Sequence, residues 1–136
     1  MKIVVAKSQT EVLDNLTVRT EVFIIGQTID WQIEFDGLDR ECILFTAYKD
    51  DIAVGAARLY KNKVGRVAVL KEYRGQGFAV GLMNKVEEYA KDNKFGYLKL
   101  NAQVYVEDFY KKLGYVSEGE IFQEADIDHI LMTKKM

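Results

Sequence analysis

The residues best placed to do chemistry are Arg74-Gly75-Gln76-Gly77, a glycine-rich turn that carries an arginine. A valine-rich segment, 64–70, precedes the turn, and apolar residues spaced three or four apart follow it from Ala79. The turn therefore joins a strand to the start of a helix. Glycine lets backbone N–H groups approach a ligand, and a helix N-terminus favours negative charge. This pattern predicts a phosphate-binding turn to which Arg74 adds a cation, the alternative being an ordinary glycine-rich surface turn.

Length and composition indicate the number of domains in the chain and the kind of partner it binds. The chain has 136 residues, 49% hydrophobic and 29% charged, which predicts a single folded domain spanning 1–136 rather than a disordered chain. With a net charge of −2, the chain has no excess of basic residues of the kind that binds nucleic acid. Small molecules are therefore the expected partners.

Cysteine usage and the N-terminus indicate where the protein works. Cys42 is the only cysteine, which excludes an internal disulfide and a cysteine-based zinc cluster and predicts a reducing, cytoplasmic location. The apolar run 3–6 is too short for a signal peptide, and no segment approaches the length of a membrane span. Neither a membrane partner nor a bound metal is expected.

The hydrophobic periodicity predicts the order β-α-β-β-β-α-β-α-β-β. Ser8 and Glu11 form the capping-box pattern of a helix start, and Asp50-Asp51 is suited to a tight hairpin connection. Segment 25–39 has no regular pattern. The strands are predicted at 2–6, 42–49, 52–61, 64–70, 97–103, 115–119 and 127–133, and the helices at 11–23, from the glycine turn to about 93, and at 106–113.

The long helix is flanked by strands 64–70 and 97–103, which makes a βαβ unit. Such a unit has a right-handed crossover and brings its two strands into a parallel pair. Strands 42–49, 52–61 and 64–70 follow one another through short turns and form an antiparallel meander. The sequence thus predicts a mixed α/β (α+β) fold.

Arg74, Gly77 and Ala79 match the acyl-CoA motif of the GNAT superfamily of N-acetyltransferases, and the chain resembles that family beyond the motif. Equivalents of Val67-Ala68-Val69, of Asn101-Ala102-Gln103 and of segment 109–115 occur in the family at corresponding places. The resemblance implies a mostly antiparallel central sheet of about six to seven strands flanked by helices. It also implies transfer of an acetyl group from acetyl-CoA to a primary amine of a small molecule or a peptide.

A second resemblance, to the small bacterial ElaA-like and YjcF-like branch, covers nearly the whole chain. It rests on 18–27, on Glu34-Phe35-Asp36 with Asp39, and on His129 with Met132. Gly26 departs from that branch, which often has a glutamate before Gln27. A catalytic carboxylate cannot be assigned to position 26.

The resemblance implies roles for individual residues. A backbone N–H near Val69 would polarise the thioester carbonyl. Tyr110 would give a proton to the leaving CoA thiolate, since a phenol with an ordinary pKa of about 10 is protonated near neutral pH. The cofactor-binding residues are expected to be Val67, Ala68, Val69, Arg74, Gly75, Gln76, Gly77, Phe78, Ala79, Asn101, Phe109 and Lys112.

The sequence says less about the general base and the residues that contact the acceptor amine. The general base is Glu34, Asp36, Asp39, His129 or a water chain, and acidic segment 34–39 either attracts a cationic amine or is a solvated loop. Direct transfer in a ternary complex is expected, because Cys42 has no base near it in sequence. A homodimer through exposed strand edges is conceivable. The candidate acceptor contacts are Trp31, Glu34, Phe35 and His129.

Two other functions compete with acetyl transfer. A non-catalytic acyl-CoA-binding or sensing module would share the cofactor residues and lack turnover. Gly75, Gly77 and Gly81 also spell a GxGxxxG turn of the nicotinamide-binding kind, yet a dinucleotide fold needs that turn after its first strand. No GxxxxGK[ST] motif is present, which excludes a P-loop ATPase.

Overall fold

The computed structural model describes residues 1–136 and has seven strands and four α-helices. A π-helical segment, Thr20–Ile25, continues the first helix without a break. Three-residue 3₁₀ turns precede β2, α3 and α4. The strands are β1 (Lys2–Val5), β2 (Ile43–Lys49), β3 (Ile52–Tyr60), β4 (Lys63–Val69), β5 (Tyr97–Gln103), β6 (Val116–Glu124) and β7 (Ile127–Lys135), and the helices are α1 (Gln9–Arg19), α2 (Trp31–Glu34), α3 (Phe78–Asp92) and α4 (Glu107–Lys112).

All seven strands form one sheet in the order β1-β2-β3-β4-β5-β7-β6. Only β4 and β5 run parallel, and the other five neighbouring pairs are antiparallel. The mixed, mostly antiparallel sheet and the parallel β4–β5 pair are therefore confirmed. The parallel pair is short, since only Lys63–Lys99 and Val64–Leu100 face each other in register.

Most predicted boundaries agree with the structure, and the differences have local causes. The Ser8 capping box is present, with the Glu11 N–H donating to Ser8 Oγ at 3.1 Å. Segment 25–39, predicted irregular, contains α2, which at four residues is too short to show a helical period. Strand β6 extends past its predicted end at 119 because a bulge around Gly119, at φ 76°, lets the strand continue to Glu124.

The core lies mainly between the sheet and α3. Leu82, Met83 and Val86 of α3 are fully buried in a cluster of 18 residues. On the other face, Val18 of α1 belongs to a smaller cluster with Ala56 of β3 and Ala68 of β4. Because alternate strand residues face opposite sides, both faces of the central strands are covered. Helix α1 packs on β2, β3 and β4.

Candidate active site

A cleft of about 860 Å³ lies where β4 and β5 separate. The two strands pair only near their starts, so their ends move apart as far as Val69 on β4 and Gln103 on β5. The turn before α3, the residues around α4, the β6–β7 hairpin and the segment around α2 close the remaining sides. The parallel pair thus positions backbone groups and side chains from distant parts of the chain around one space.

The end of β4 presents an unpaired backbone N–H to this cleft. Leu70 donates its N–H to the Val54 carbonyl of β3 at 2.9 Å. Successive residues of a strand point to opposite edges, so the N–H and C=O of Val69 point away from β3. The Val69 carbonyl accepts from Arg74 Nε at 3.0 Å on that side. The Val69 N–H faces the gap left by β5, where a negatively charged oxygen would be stabilised.

The glycine turn holds the N-terminus of α3 open. Gly75 and Gly77 have φ of 77° and 89°, a conformation that is strained for other residues. Gly77 gives no side-chain cap, and the Gly81 N–H is the first to bond within the helix, to the Gly77 carbonyl at 2.9 Å. The N–H groups of the three residues before Gly81 therefore have no acceptor. Together with the adjacent Arg74, they present hydrogen-bond donors of the kind that binds an anion.

Tyr110 brings a hydroxyl group to the same cleft from α4. Its ring is 7% exposed and packs edge-on against Phe109 at 5.0 Å and Tyr115 at 6.0 Å. The Tyr110 hydroxyl has no protein partner, yet it is not sealed from solvent, because Arg66 Nε is the only sealed side-chain polar atom without a hydrogen bond. Burial, reinforced by Tyr105, raises the pKa of Tyr110 above its ordinary value. The phenol is therefore neutral and able to donate a proton.

Three arginines and three carboxylates alternate in a closed ring beside the cleft, here called the arginine–carboxylate ring. It joins α1, α2, the segment after α2, β3 and β4. Its charges cancel, so the acidic segment 34–39 is not an unbalanced negative wall. The ring runs Arg19, Glu34, Arg66, Asp36, Arg58, Asp39 and back to Arg19, with N–O distances of 2.8, 3.1, 3.4, 2.6, 3.2 and 2.7 Å in turn.

Burial and ion pairing act on the carboxylates of the ring in opposite directions. Burial raises the pKa of Glu34, and the charges of Arg66 and Arg19 offset this only in part. Hydrogen bonds from Arg58 hold the pKa of Asp36 well below its ordinary value. For Asp39, burial favours a higher pKa, but the guanidinium groups of Arg19 and Arg58 outweigh it and lower the pKa.

These shifts predict how acid affects the fold. Asp36 and Asp39 stabilise the folded state above the ordinary aspartate pKa of about 3.9, and this is lost as pH falls through and below that value. Glu34, with its raised pKa, has the opposite sign and offsets part of the loss. We expect the free energy of unfolding to fall between about pH 5 and about pH 3, less steeply in Asp36→Asn.

Urea unfolding at several pH values measures this slope. Asp92→Asn is the matched control, because Asp92 is exposed and has no arginine partner. The control should keep the wild-type slope. Equal slopes in wild type and Asp36→Asn would show that the ring does not cause the acid sensitivity.

Comparison with known proteins decides which family this site belongs to. The sequence profile of the acetyltransferase (GNAT) domain matches residues 10–136. The chain belongs to the GNAT acetyltransferase family. It is 36% identical to the uncharacterized N-acetyltransferase YjcF of Bacillus subtilis over 98% of this chain and 99% of that protein. It is 30% identical to the protein ElaA of Escherichia coli over 89% and 85% of the two chains.

Solved structures agree with this assignment. The crystal structure of a putative N-acetyltransferase from Lactobacillus plantarum superimposes with a TM-score of 0.92, at 26% identity, over 98% of this chain and 97% of that one. The predicted GNAT fold and the resemblance to the ElaA-like and YjcF-like branch are confirmed. The chain is thus an acetyl-CoA-dependent N-acetyltransferase, and the alternative of a non-catalytic binding module is not favoured.

The GNAT cleft gathers most of the residues expected from the sequence, although their individual roles stay predictions. Among the predicted cofactor, catalytic and acceptor-contact residues, only Gln76, Lys112, Trp31 and Phe35 lie outside the lining. Of the other candidate bases, Asp36 lines the cleft and Asp39 does not. The residues that do line it are Glu34, Val67, Ala68, Val69, Arg74, Gly75, Gly77, Phe78, Ala79, Asn101, Phe109, Tyr110 and His129.

The four residues outside the cleft have local reasons for their positions. The side chain of Gln76 turns to Lys49, whose Nζ donates to it at 2.8 Å. Lys112 is exposed on α4, and Trp31 is 60% exposed on α2. The ring of Phe35 stacks under the Arg19 guanidinium, 5.4 Å from its carbon to the ring centroid. Packing onto the arginine–carboxylate ring, rather than the cleft, holds this phenylalanine.

The GNAT cleft also contains residues that sequence reasoning missed. Gln27 and Gln103 exchange two amide hydrogen bonds, of 2.9 and 3.2 Å, between the segment after α1 and the end of β5. Arg66 reaches the ring because β4 bulges there, at φ 54°. Glu124, at the β6–β7 turn, also lines the cleft. Of these residues, only Arg66 could have been noticed in the sequence, because it is an arginine inside a valine-rich strand.

Three further features of the structure concern metal binding, membrane-crossing helices and position 26. No group of three or more histidine, cysteine or acidic side chains is arranged to hold a metal ion. None of the helices has the length and apolar character needed to cross a membrane. Gly26 ends the π-helical segment, and a Cβ there would meet the Val22 carbonyl oxygen at 2.6 Å. A larger residue at position 26 therefore requires the backbone to shift.

Proposed function

We propose that the cleft holds acetyl-CoA and that its acetyl group passes directly to a primary amine in a ternary complex. GNAT domains use acetyl-CoA, and this chain has the groups that such a substrate requires. One observation carries the proposal: the unpaired N–H of Val69, the open N-terminus of α3 and the Tyr110 hydroxyl line a single cleft.

Backbone groups account for most of the cofactor binding in this proposal. The free N–H groups at the start of α3 and the Arg74 guanidinium bind the pyrophosphate. The edge of β4 at 67–69, unpaired by β5, bonds the pantetheine amides. The Val69 N–H donates to the thioester oxygen as it gains charge. Gln76 and Lys112, which lie outside the cleft, contribute at its margin or not at all.

The transfer step follows from these positions. The amine nitrogen attacks the thioester carbon, a C–N bond forms, and the C–S bond breaks as CoA leaves. Tyr110 donates its proton to the departing thiolate, and the amine loses one proton to a base or to water. The only thiol of the chain, Cys42, is outside the cleft, bonds to the Leu38 carbonyl at 3.2 Å, and has a pKa raised by burial. An acyl-cysteine intermediate is thus disfavoured.

The proposal also covers the part of the acceptor molecule that carries the amine, and the oligomeric state. Apolar side chains of Phe23, Ile29 and Ile33 line the cleft on the side of α1 and α2 and suit an acceptor whose amine is attached to an apolar group.

Strand β6 is an open sheet edge on which Ile121 is 57% exposed, so a homodimer through this edge stays a prediction.

Calorimetric titration with acetyl-CoA tests the anion site. Charge-assisted hydrogen bonds contribute about 1.5–3 kcal/mol, and tenfold in Kd corresponds to about 1.4 kcal/mol, so we expect Arg74→Glu to raise Kd at least about tenfold. Lys91→Glu makes the same charge change near the other end of α3, about 20 Å away, and should leave Kd unchanged.

Turnover is then followed as release of free CoA with a panel of primary amines. Acetyl-CoA binding that Arg74→Glu does not weaken would contradict the assignment of the anion site. Absence of acetyl-CoA binding in the wild type would contradict the proposed function itself.

A further inference from the structure

Glu124 is the one carboxylate of the cleft that no arginine neutralises. Three carboxylates line the cleft, Glu34, Asp36 and Glu124. The first two belong to the arginine–carboxylate ring, where each contacts two guanidinium groups. Glu124 forms no ion pair and accepts one hydrogen bond, from Asn101 Nδ2 to Oε2 at 3.3 Å. Its Oε1 has no protein partner, so a negative charge inside the cleft lacks a counter-ion.

The fold holds Glu124 in this position. Ala125 and Asp126, at φ 53° and 60°, form a two-residue turn in which Glu124 and Ile127 are the flanking pair. Such a turn fixes the register of a hairpin and leaves little freedom to the residues beside it. The contact with Asn101 joins the hairpin tip to β5, across β7. The carboxylate is therefore a fixed part of the cleft wall.

His129 supplies a basic nitrogen from the same hairpin. It lies opposite Gln103 of β5, is 8% exposed and lines the cleft. Its Nδ1 is 2.7 Å from the Ile127 carbonyl oxygen. A carbonyl only accepts, so Nδ1 carries the hydrogen and Nε2 of the neutral ring has a lone pair. No protein group bonds Nε2, and it is not sealed from the cleft.

We propose that Glu124 binds the ammonium group of the acceptor and that His129 Nε2 removes its proton. The inference rests on the proposed function and assigns the acceptor class: primary amines that are protonated at neutral pH. The ammonium N–H bond breaks, its electron pair stays on nitrogen for attack on the thioester carbon, and the proton forms a bond to Nε2. Histidine suits this work because its ordinary pKa is about 6.5.

Two amines with the same benzyl group provide the test. Benzylamine is protonated at neutral pH, whereas O-benzylhydroxylamine is mostly neutral. It needs neither an anion to bind it nor a base before attack, and the nitrogen, made acidic by the attack, then gives its proton to water. We expect Glu124→Gln to raise the KM for benzylamine at least about tenfold without changing the KM for acetyl-CoA. We expect His129→Gln to lower kcat with benzylamine about 10²–10⁴-fold. With O-benzylhydroxylamine, both variants should stay close to wild type.

Equal losses with the two amines would overturn the proposal, because damage to the fold or to the acetyl-CoA site does not depend on amine protonation. Asp128→Asn is the matched control, since Asp128 is an exposed carboxylate on β7 beside His129. It should behave as wild type with both amines.

Nuclear magnetic resonance tests the histidine without turnover. His129 is the only histidine in the chain, so its ring nitrogens are assigned without ambiguity. Hydrogen on Nδ1 at neutral pH agrees with the proposal, and hydrogen on Nε2 overturns it.

If wild type turns over neither amine, the proposed function fails for these acceptors. Benzylamine added to the CoA complex should then still shift the His129 signals in wild type and not in Glu124→Gln, and no shift in wild type overturns the inference.

Discussion

Tyr110→Phe should lower kcat about 10²–10⁴-fold, the contribution usual for a positioned general acid. The phenol is neutral because burial raises its pKa, and its hydroxyl has no partner other than the cleft. Phenylalanine keeps the edge-on contacts with Phe109 and Tyr115. No buried partner is left unsatisfied by the change, so stability should change by less than about 1 kcal/mol.

Steady-state kinetics at saturating acetyl-CoA measures this effect, with a separate titration for cofactor affinity. Tyr97→Phe is the control, because Tyr97 is a 47% exposed tyrosine of β5 that lies outside the cleft. We expect kcat to be unchanged in the control and Kd for acetyl-CoA to be unchanged in both variants. A Tyr110→Phe enzyme with wild-type kcat would remove Tyr110 from the mechanism and leave the thiolate to be protonated by water.

Arg19→Leu should destabilise the fold by about 3–5 kcal/mol, as removal of one partner from a buried ion pair does. Arg19 is fully buried and contacts Glu34 at 2.8 Å, Asp39 at 2.7 Å and Asn15 Oδ1 at 3.2 Å. Leucine leaves two carboxylates with one guanidinium each, and Glu34 is only 2% exposed. Domains of this kind have total stabilities of about 5–15 kcal/mol, so the variant loses a large fraction.

Chemical denaturation of the variants gives the free energies. Arg40→Leu removes an arginine from the same region that is exposed and unpaired, and should change stability by less than about 0.5 kcal/mol. Glu34→Gln in the Arg19→Leu background should restore part of the loss, because it removes a buried negative charge that the two remaining guanidinium groups of the ring do not balance. A double variant no more stable than Arg19→Leu alone would mean that lost packing, and not charge, causes the defect.

In the proposed function, the two halves of the cleft recognise their substrates by different means. On the cofactor side the contacts come from backbone N–H groups of β4 and of the turn before α3, which are fixed by strand and helix geometry. On the acceptor side they come from side chains of the ring and of the β6–β7 hairpin. Substitutions on the acceptor side can change the amine without disturbing acetyl-CoA. The ring holds that wall in place, so its loss should affect acceptor use as well as stability.

Much of this protein is determined by short stretches of its sequence. The alternation of apolar residues predicts the strands, and Ser8 with Glu11 predicts the start of α1. Arg74, Gly75 and Gly77 predict the open N-terminus of α3, because only glycine adopts positive φ without strain. These features are local, so neighbouring residues are enough to specify them. Hence the sheet, the parallel pair and the open N-terminus of α3 could be predicted without coordinates.

The charge state of the acceptor side was decided by tertiary structure. In the sequence, Glu34, Asp36 and Glu124 are alike, each an acidic residue outside a regular pattern. The fold brings Arg58 and Arg66, distant in sequence, against the first two and leaves the third with an amide alone. Whether a carboxylate is neutralised or available depends on which groups lie within a few ångströms of it, and that proximity follows from strand order and a bulge in β4.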